Sequence, residues 1–183
     1  MILVSKSPRR QEILSKAGYS FTVIPADIDE SFPEHMIPED IPVFLAEKKV
    51  LSLAEKHENE ILIAADTIVV MDKQVINKPA DAKEAFEMLS LLSGKTHQVI
   101  SGVCVAKGED TVSFSDQSLV TFRDLTEDEI LYYIEKYEPY DKAGAYGVQE
   151  FIGMVGIEKI EGSFFNVMGL PIHKLYKALE MMR

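Results

Sequence analysis

The sequence has few of the features that mark secreted or membrane proteins. Its single cysteine, Cys104, cannot form an internal disulfide and lies in an alternating apolar stretch, so we expect a buried small side chain. No apolar run approaches the ~20 residues that span a bilayer. Arg9 and Arg10 interrupt the first apolar run after a few residues, unlike a signal peptide. We therefore expect a cytoplasmic protein with no membrane partner.

Basic residues are scarce, because 19 lysines and arginines face 30 acidic residues and the formal net charge is -11 at pH 7. A duplex nucleic acid requires a basic face, so we expect no nucleic acid partner. An acidic protein that binds a polyanion must gather its few cations in one place or use a metal ion. Each lysine or arginine near a loop is therefore a candidate binding residue.

Several common motifs are also missing. The histidines lack metal-ligand spacing, and we expect them to be solvated or packed: His35, His57, His97 and His173. The run Gly94–Thr96 lacks the upstream glycine of a Walker A loop and follows a helical pattern, which argues against a Walker-type ATPase. No repeat or flexible linker interrupts the 183 residues, a length that suits one large domain or two small, intimately joined domains.

The first dozen residues carry the clearest local pattern. A short apolar run ends at Ser5, Ser7 can cap a helix, and Pro8 suits the first helical position. Such a helix N-terminus attracts phosphate through its free N–H groups and its dipole. Arg9 and Arg10 lie in the first turn, where cations oppose the dipole, so a bound anion would remove the conflict. The alternative is a surface helix that begins with two solvated arginines.

The remaining segments alternate between strand and helix patterns. We expect strands over 20–25 and 61–70, a hairpin of 97–106 with 112–122, and helices over 43–54, 81–94, 126–138 and from 171 to Arg183. Residues 26–42 and the glycine-rich segment 141–149 are predicted loops, and residues 151–160 are predicted to turn or to cross between layers. The order predicts a mixed α/β fold with no clean point of division.

Three charged residues occur within apolar patterns. In the helix over 43–54, Lys48 points away from the apolar stripe and should contact only water, whereas Lys49 lies on its margin. Lys49 can reach a cleft between packed elements, or lie as a flanking residue with its stem on apolar surface. Asp66 interrupts a central strand, so it either emerges at a strand end or meets a cation. A carboxylate bonded to loop N–H groups is the alternative.

Four separated stretches follow a known pattern in order and at plausible spacing. They are Ser7–Arg10, Ala65–Thr67, Leu92–His97 and Asp141–Gly147, and the tail Gly162–Pro171 is also similar. Together they resemble the Maf family of nucleoside triphosphate pyrophosphatases over nearly the whole chain. The resemblance implies a single domain over 1–183, with a mixed, twisted sheet and flanking helices in two lobes around a cleft. Inosine triphosphate pyrophosphatases have a similar fold.

The resemblance also implies an activity and its cofactor. The reaction is hydrolysis of a nucleoside triphosphate between the α- and β-phosphates, which gives the monophosphate and pyrophosphate. The late loop resembles that of members acting on dTTP and UTP, and an amide at Gln149 suits the N3–H and carbonyl of a uracil-type ring. The implied cofactor is Mg²⁺ or Mn²⁺, with Glu30 and Asp66 as oxygen ligands.

Residue roles follow from the same resemblance. Asp66 is the implied base that takes a proton from the attacking water, and Lys49 and Lys78 are implied catalytic cations. The implied substrate-binding residues are Ser5, Arg9, Arg10, Thr67 and Gln149, of which Arg9, Thr67 and Gln149 select the base.

The chain departs from the family pattern at Val4, Asn77 and Glu150. Glu150 stands where glycine often follows the glutamine, and a carboxylate beside a base pocket could alter nucleotide preference. Two alternatives stay open: 7-methyl-GTP as the substrate, or a nucleotide-sensing regulator of septum formation with little turnover. A homodimer, the metal in use and the choice between normal and modified nucleotides are also left open.

Overall fold

The structure is a computed structural model that describes residues 1–182. These residues form two compact units. The first unit comprises residues 1–67, 101–116 and the segment from 169 onward, and the second comprises residues 68–100 and 117–168.

The secondary structure alternates strands with helices along the chain. The strands are β1 (Ile2–Leu3), β2 (Thr22–Val23), β3 (Leu62–Met71), β4 (Gln74–Ile76), β5 (Thr96–Lys107), β6 (Asp110–Phe122) and β7 (Ile157–Glu161). The helices are α1 (Pro8–Lys16), α2 (Ile41–Ala54), α3 (Ala82–Leu92), α4 (Glu127–Tyr137), α5 (Phe151–Gly156), α6 (Phe164–Met168) and α7 (Ile172–Met181). Two 3₁₀ turns, Pro139–Asp141 and Ala143–Ala145, follow α4.

The strands belong to one mixed sheet of seven strands, ordered β2-β1-β3-β5-β6-β7, with β4 paired to β3. Strand β1 runs parallel to both β2 and β3. In contrast, the β3–β4 and β6–β7 pairs are antiparallel. The predicted mixed α/β class is therefore confirmed.

In the first unit, helix α2 covers one face of the sheet. The core there combines small and branched side chains: Ile2, Val4, Ala46, Val50, Leu62, Ala64, Cys104 and Ala106. Cys104 is buried among them, as expected. Gly102 on β5 allows the close approach of the helix, because a Cβ at this position would lie 2.2 Å from backbone atoms of Pro42 and Val43. A bulkier residue at 102 would displace the helix that carries Lys49.

Alternation along β3 assigns two polar residues to opposite faces of the sheet. Leu62 and Ala64 face the α2 core, so the period of two places Asp66 on the same side. Thr67 consequently faces the other side, with Ile63 and Ala65. Adjacent positions in one strand thus carry a carboxylate toward α2 and a hydroxyl away from it.

The second unit is built around α3, which packs against α4 and both 3₁₀ turns. The ring of His97 stacks on Phe122 at 5.7 Å between centroids, and Tyr146 meets both rings edge-on. Nε2 of His97 is 2.7 Å from the hydroxyl of Tyr146, and burial lowers the pKa of His97 to about 4. This aromatic cluster anchors the glycine-rich loop to the start of β5.

Most predicted elements are confirmed, with differences at their boundaries. The second strand is only two residues long, and α2 begins at Ile41, inside the predicted 26–42 loop. Residues 151–160 form α5 followed by β7, and the short helix α6 was not predicted. The predicted end of the last helix at Arg183 lies outside the described residues. The division into two lobes of one domain around a cleft stays a prediction.

None of the helices within residues 1–182 combines the length and the apolar character that a bilayer-crossing helix requires.

Candidate functional site

Lys49 joins two carboxylates in the first unit. Its ammonium lies 2.7 Å from Oδ1 of Asp66 and 2.8 Å from Oε1 of Glu30. The helix buries Lys49 because it shares a face with Ala46 and Val50, and its side chain is only 10% exposed. Asp66 therefore meets a cation, as one of the sequence alternatives required, and Lys49 is more than a flanking residue.

The loop that carries Glu30 is held by a second lysine. Nζ of Lys48 donates to the backbone carbonyl of Asp29 and, at 3.4 Å, to that of Ser31. The prediction that Lys48 contacts only water is wrong, because the long side chain leaves α2 on the side where this loop passes. Helical projection alone could not reveal this contact, since it depends on the path of an irregular loop.

Arg10 forms hydrogen bonds with three segments of the first unit. Its guanidinium donates to the carbonyl of Gly169 at 2.9 Å, to Oγ1 of Thr67 at 3.1 Å and to Oγ of Ser5 at 3.3 Å. Burial lowers the pKa of Arg10, while the charge of Asp66 raises it. Ser5, Arg10 and Thr67 are thus brought together, and all three already have protein partners.

Helix α1 begins as the sequence predicts. The hydroxyl of Ser7 accepts a bond from the N–H of Arg10 at 3.5 Å, and Pro8 is the first helical residue. Its first turn contains no acidic residue, so nothing within that turn neutralises the partial positive charge of the helix end. Arg9 lies in this turn and is partly exposed.

Lys78 and Gln149 belong to the second unit. Exposed Lys78 follows β4, and the carbonyl of its neighbour Asn77 accepts a bond from the N–H of Gly144 at 3.1 Å. That bond ties the Lys78 segment to the glycine-rich loop. Gln149, at the end of the same loop, lines a cavity of about 520 Å³ together with residues of α5, β7 and Phe164. Its Oε1 is buried and has no hydrogen-bond partner within the described chain.

Glu150 does not point at that cavity. Its carboxylate accepts a hydrogen bond from the hydroxyl of Tyr133 and lies 3.2 Å from the ammonium of Lys142. Sequence reasoning did not single out Tyr133 or Lys142, since a tyrosine on an apolar helical face carries no distinctive signal. The Glu150 carboxylate is therefore bound by Tyr133 and Lys142, and its effect on nucleotide preference stays a prediction.

Two carboxylates in the first unit fit a metal ion that also contacts phosphate. No group of three histidine, cysteine, aspartate or glutamate side chains resembles a metal site in residues 1–182. Mg²⁺ in phosphate-binding enzymes, however, often takes one or two carboxylates and keeps several waters. Glu30 and Asp66 suit this mode because one oxygen of each lies within 2.8 Å of the Lys49 ammonium, so the two carboxylates are close enough together to hold one ion beside that ammonium.

Comparisons with known proteins agree along the whole chain. The family model described as Maf-like protein matches residues 1–182. A Porphyromonas gingivalis protein named dTTP/UTP pyrophosphatase is 48% identical, over 98% of this chain and 92% of its own length. Relatives with the same name come from Bacteroides fragilis, 48% identical over 100% of this chain and 95% of theirs, and from Cytophaga hutchinsonii, 47% identical over 100% and 84%. The chain therefore belongs to the Maf family.

Proposed function

We propose that this protein hydrolyses nucleoside triphosphates, dTTP and UTP foremost, between the α- and β-phosphates to release pyrophosphate. The observation that carries the proposal is the convergence of Glu30 and Asp66 on Lys49, in a chain 47–48% identical to proteins named dTTP/UTP pyrophosphatase. Such a charge cluster suits phosphoryl chemistry, in which catalysis consists mainly of positioning and charge stabilisation.

Asp66 is the proposed base. Its Oδ1 is held by Lys49, so its orientation is fixed, and Oδ2 is assigned to accept the proton of the attacking water. The Lys49 ammonium then faces the negative charge that develops on the phosphoryl oxygens, and Lys78 supplies a second cation. Hydrolysis needs no covalent intermediate on the protein under this assignment.

Glu30 and Asp66 are the proposed ligands of a divalent cation, Mg²⁺ or Mn²⁺. When bound, such an ion neutralises phosphate charge and acidifies a water molecule. The two carboxylates come from a loop and a strand, and Lys49 holds them at the same point before any ligand arrives.

Ser5, Arg9, Arg10 and Thr67 are further proposed substrate-binding residues, of which Arg9 and Thr67 select the base together with Gln149. A phosphate near the start of α1 would gain from the helix dipole and from the two arginines. It would also relieve the repulsion between Arg9 and Arg10, because the charge of Arg9 lowers the pKa of Arg10.

Gln149 is the proposed reader of the base. Its Oε1 is a buried acceptor with no protein donor in the described residues, and an unsatisfied group of this kind costs roughly 1–3 kcal/mol. The N3–H of a uracil-type ring would supply the missing donor. The cavity of about 520 Å³ beside Gln149 has room for such a ring.

The test measures pyrophosphate release from a panel of triphosphates, including dTTP, UTP, CTP, GTP and 7-methyl-GTP, with Mg²⁺ or Mn²⁺. We expect the highest kcat/KM for dTTP and UTP, and monophosphate as the second product. Chelation with EDTA should abolish turnover, and added metal should restore it. A higher kcat/KM for 7-methyl-GTP would identify that nucleotide as the preferred substrate instead. Binding of triphosphates without turnover of any of them would contradict an enzymatic function and favour a nucleotide sensor.

A further inference from the structure

The segment that presents Gln149 is a tight turn. The N–H of Glu150 donates to the carbonyl of Gly147 at 3.0 Å, so Val148 and Gln149 occupy the two central positions of a β-turn. The position of the Gln149 side chain therefore depends on how rigidly the backbone of this turn is held.

Tyr133 of α4 holds this turn from both ends. Its buried hydroxyl accepts a bond from the N–H of Gly147 at 3.0 Å and donates one to the carboxylate of Glu150. One side-chain oxygen therefore bridges the first and last residues of the turn. Burial, together with the bond to Glu150, raises the pKa of Tyr133, so this hydroxyl keeps its proton at neutral pH.

Glu150 completes the arrangement. Its side chain folds back across Gly147, where a Cβ would lie 2.7 Å from the carboxyl carbon, so a larger residue at 147 would displace the carboxylate. The ammonium of buried Lys142, 3.2 Å away, balances the charge of Glu150. Lys142 also contacts Asp141 at 2.7 Å, which links the start of the glycine-rich loop to its end.

We infer that Tyr133 and Glu150 are positioning residues that set base selectivity by fixing the turn on which Gln149 is presented. The inference rests on the proposed function, because it assumes that Gln149 meets the base. UTP and CTP are the informative pair, since the two rings have similar size and differ in their hydrogen-bond donors and acceptors. If the turn adopts several conformations, the Gln149 amide can bind both the uracil and the cytosine ring, and the selectivity falls.

The main variant is Tyr133→Phe, which removes the hydroxyl and keeps the buried ring. The matched control is Tyr132→Phe, the same change one position away on α4, where the side chain is exposed, the hydroxyl accepts a bond from Lys136, and the ring that contacts Phe151 is kept. We expect Tyr133→Phe to lower the kcat/KM ratio of UTP to CTP by about tenfold, the worth of one hydrogen bond of ~1.4 kcal/mol. The loss should fall on KM, with kcat within about threefold, and Tyr132→Phe should retain the wild-type ratio.

A double-mutant cycle separates positioning of Gln149 from a general loss of structure. In a Gln149→Ala background, Tyr133→Phe should change the UTP to CTP ratio less than twofold, because the side chain that the turn presents is gone. Glu150→Gln, which retains an acceptor for the tyrosine hydroxyl, should keep more selectivity than Glu150→Ala. Equal losses of selectivity in both Gln149 backgrounds, an unchanged ratio in Tyr133→Phe, or the same loss in Tyr132→Phe would each overturn the inference.

Amide hydrogen exchange tests the geometry without turnover. The Gly147 N–H should exchange about tenfold faster in Tyr133→Phe than in wild type, since its acceptor is removed, while amides in β5 keep their rates. If wild type releases no pyrophosphate from any triphosphate, the proposed function fails and exchange still tests the turn. Unchanged protection of Gly147 in Tyr133→Phe would contradict the inference even in an active enzyme.

Discussion

Asp66→Asn separates chemistry from structure because Lys49 has two carboxylate partners. In the wild-type protein the Lys49 ammonium lies 2.7 Å from Asp66 and 2.8 Å from Glu30. The variant keeps an amide oxygen that can accept the bond from Lys49, and it leaves the ion pair with Glu30 unchanged. The variant removes the negative charge of one carboxylate, its ability to take a proton, and one anionic oxygen ligand of the proposed divalent cation.

The expected effects on stability and on rate differ in size. A hydrogen bond to a charged group contributes about 1.5–3 kcal/mol and one to a neutral group about 0.5–1.5, so the free energy of unfolding should fall by about 1 kcal/mol. A general base contributes about 10²–10⁴ in rate. We therefore expect kcat for UTP to fall at least ~100-fold, while the protein stays folded and nucleotide binding persists within about tenfold.

The assays are urea denaturation, calorimetric titration with a non-hydrolysable UTP analogue, and pyrophosphate release. Asp72→Asn is the matched control: the same chemical change in the exposed turn after β3, at a positive φ of 51° that asparagine tolerates. It should retain the activity of wild type. A kcat of Asp66→Asn within about threefold of wild type would refute the assignment of Asp66 as the base. An effect on septum formation that persists at full strength in this variant would favour the nucleotide-sensing regulator.

Three further predictions concern the scaffold. Arg10→Lys should lower the free energy of unfolding by about 2 kcal/mol in urea denaturation, because an ammonium cannot serve Ser5, Thr67 and Gly169 together, and an unchanged midpoint would contradict it. Gly102→Ala should cost about 3 kcal/mol or more through the clash with α2, against ~1 kcal/mol for Gly18→Ala, where a Cβ meets nothing within 4 Å. Between pH 6.5 and about 4 the unfolded chain binds the proton of His97 more readily than the folded one, so stability should fall by about 3 kcal/mol as the pH drops, and His97→Gln should flatten this slope.

The sequence was most informative about the start of α1 and about Asp66. Ser7 and Pro8 predicted the start of α1 because capping is decided within one turn. Asp66 stood out because an acid in an apolar strand requires a partner, and the helical period brought Lys49 to the right face. Both inferences need only the regular geometry of one element.

Other contacts could not be predicted because they join segments that are distant in sequence. The bonds from Arg10 to Thr67 and Gly169 span 57 and 159 residues, and no periodicity encodes them. The role of Glu150 was hidden for a different reason, since its bond with Tyr133 of α4 depends on the path of the irregular glycine-rich loop. The contact of Lys48 with the Asp29 carbonyl depends on an irregular loop, for which the sequence offers no repeating geometry.

The opposite orientations of Asp66 and Thr67 restrict how β3 can change its length. Loss or gain of one residue between Leu62 and Asp66 would exchange the two side chains across the sheet, turning the hydroxyl toward Lys49 and the carboxylate toward Arg10. Point substitutions in this strand alter one contact each, whereas an insertion or deletion dismantles both sets at once. Homologues with the same chemistry can therefore drift in composition here, but must retain an identical count of residues.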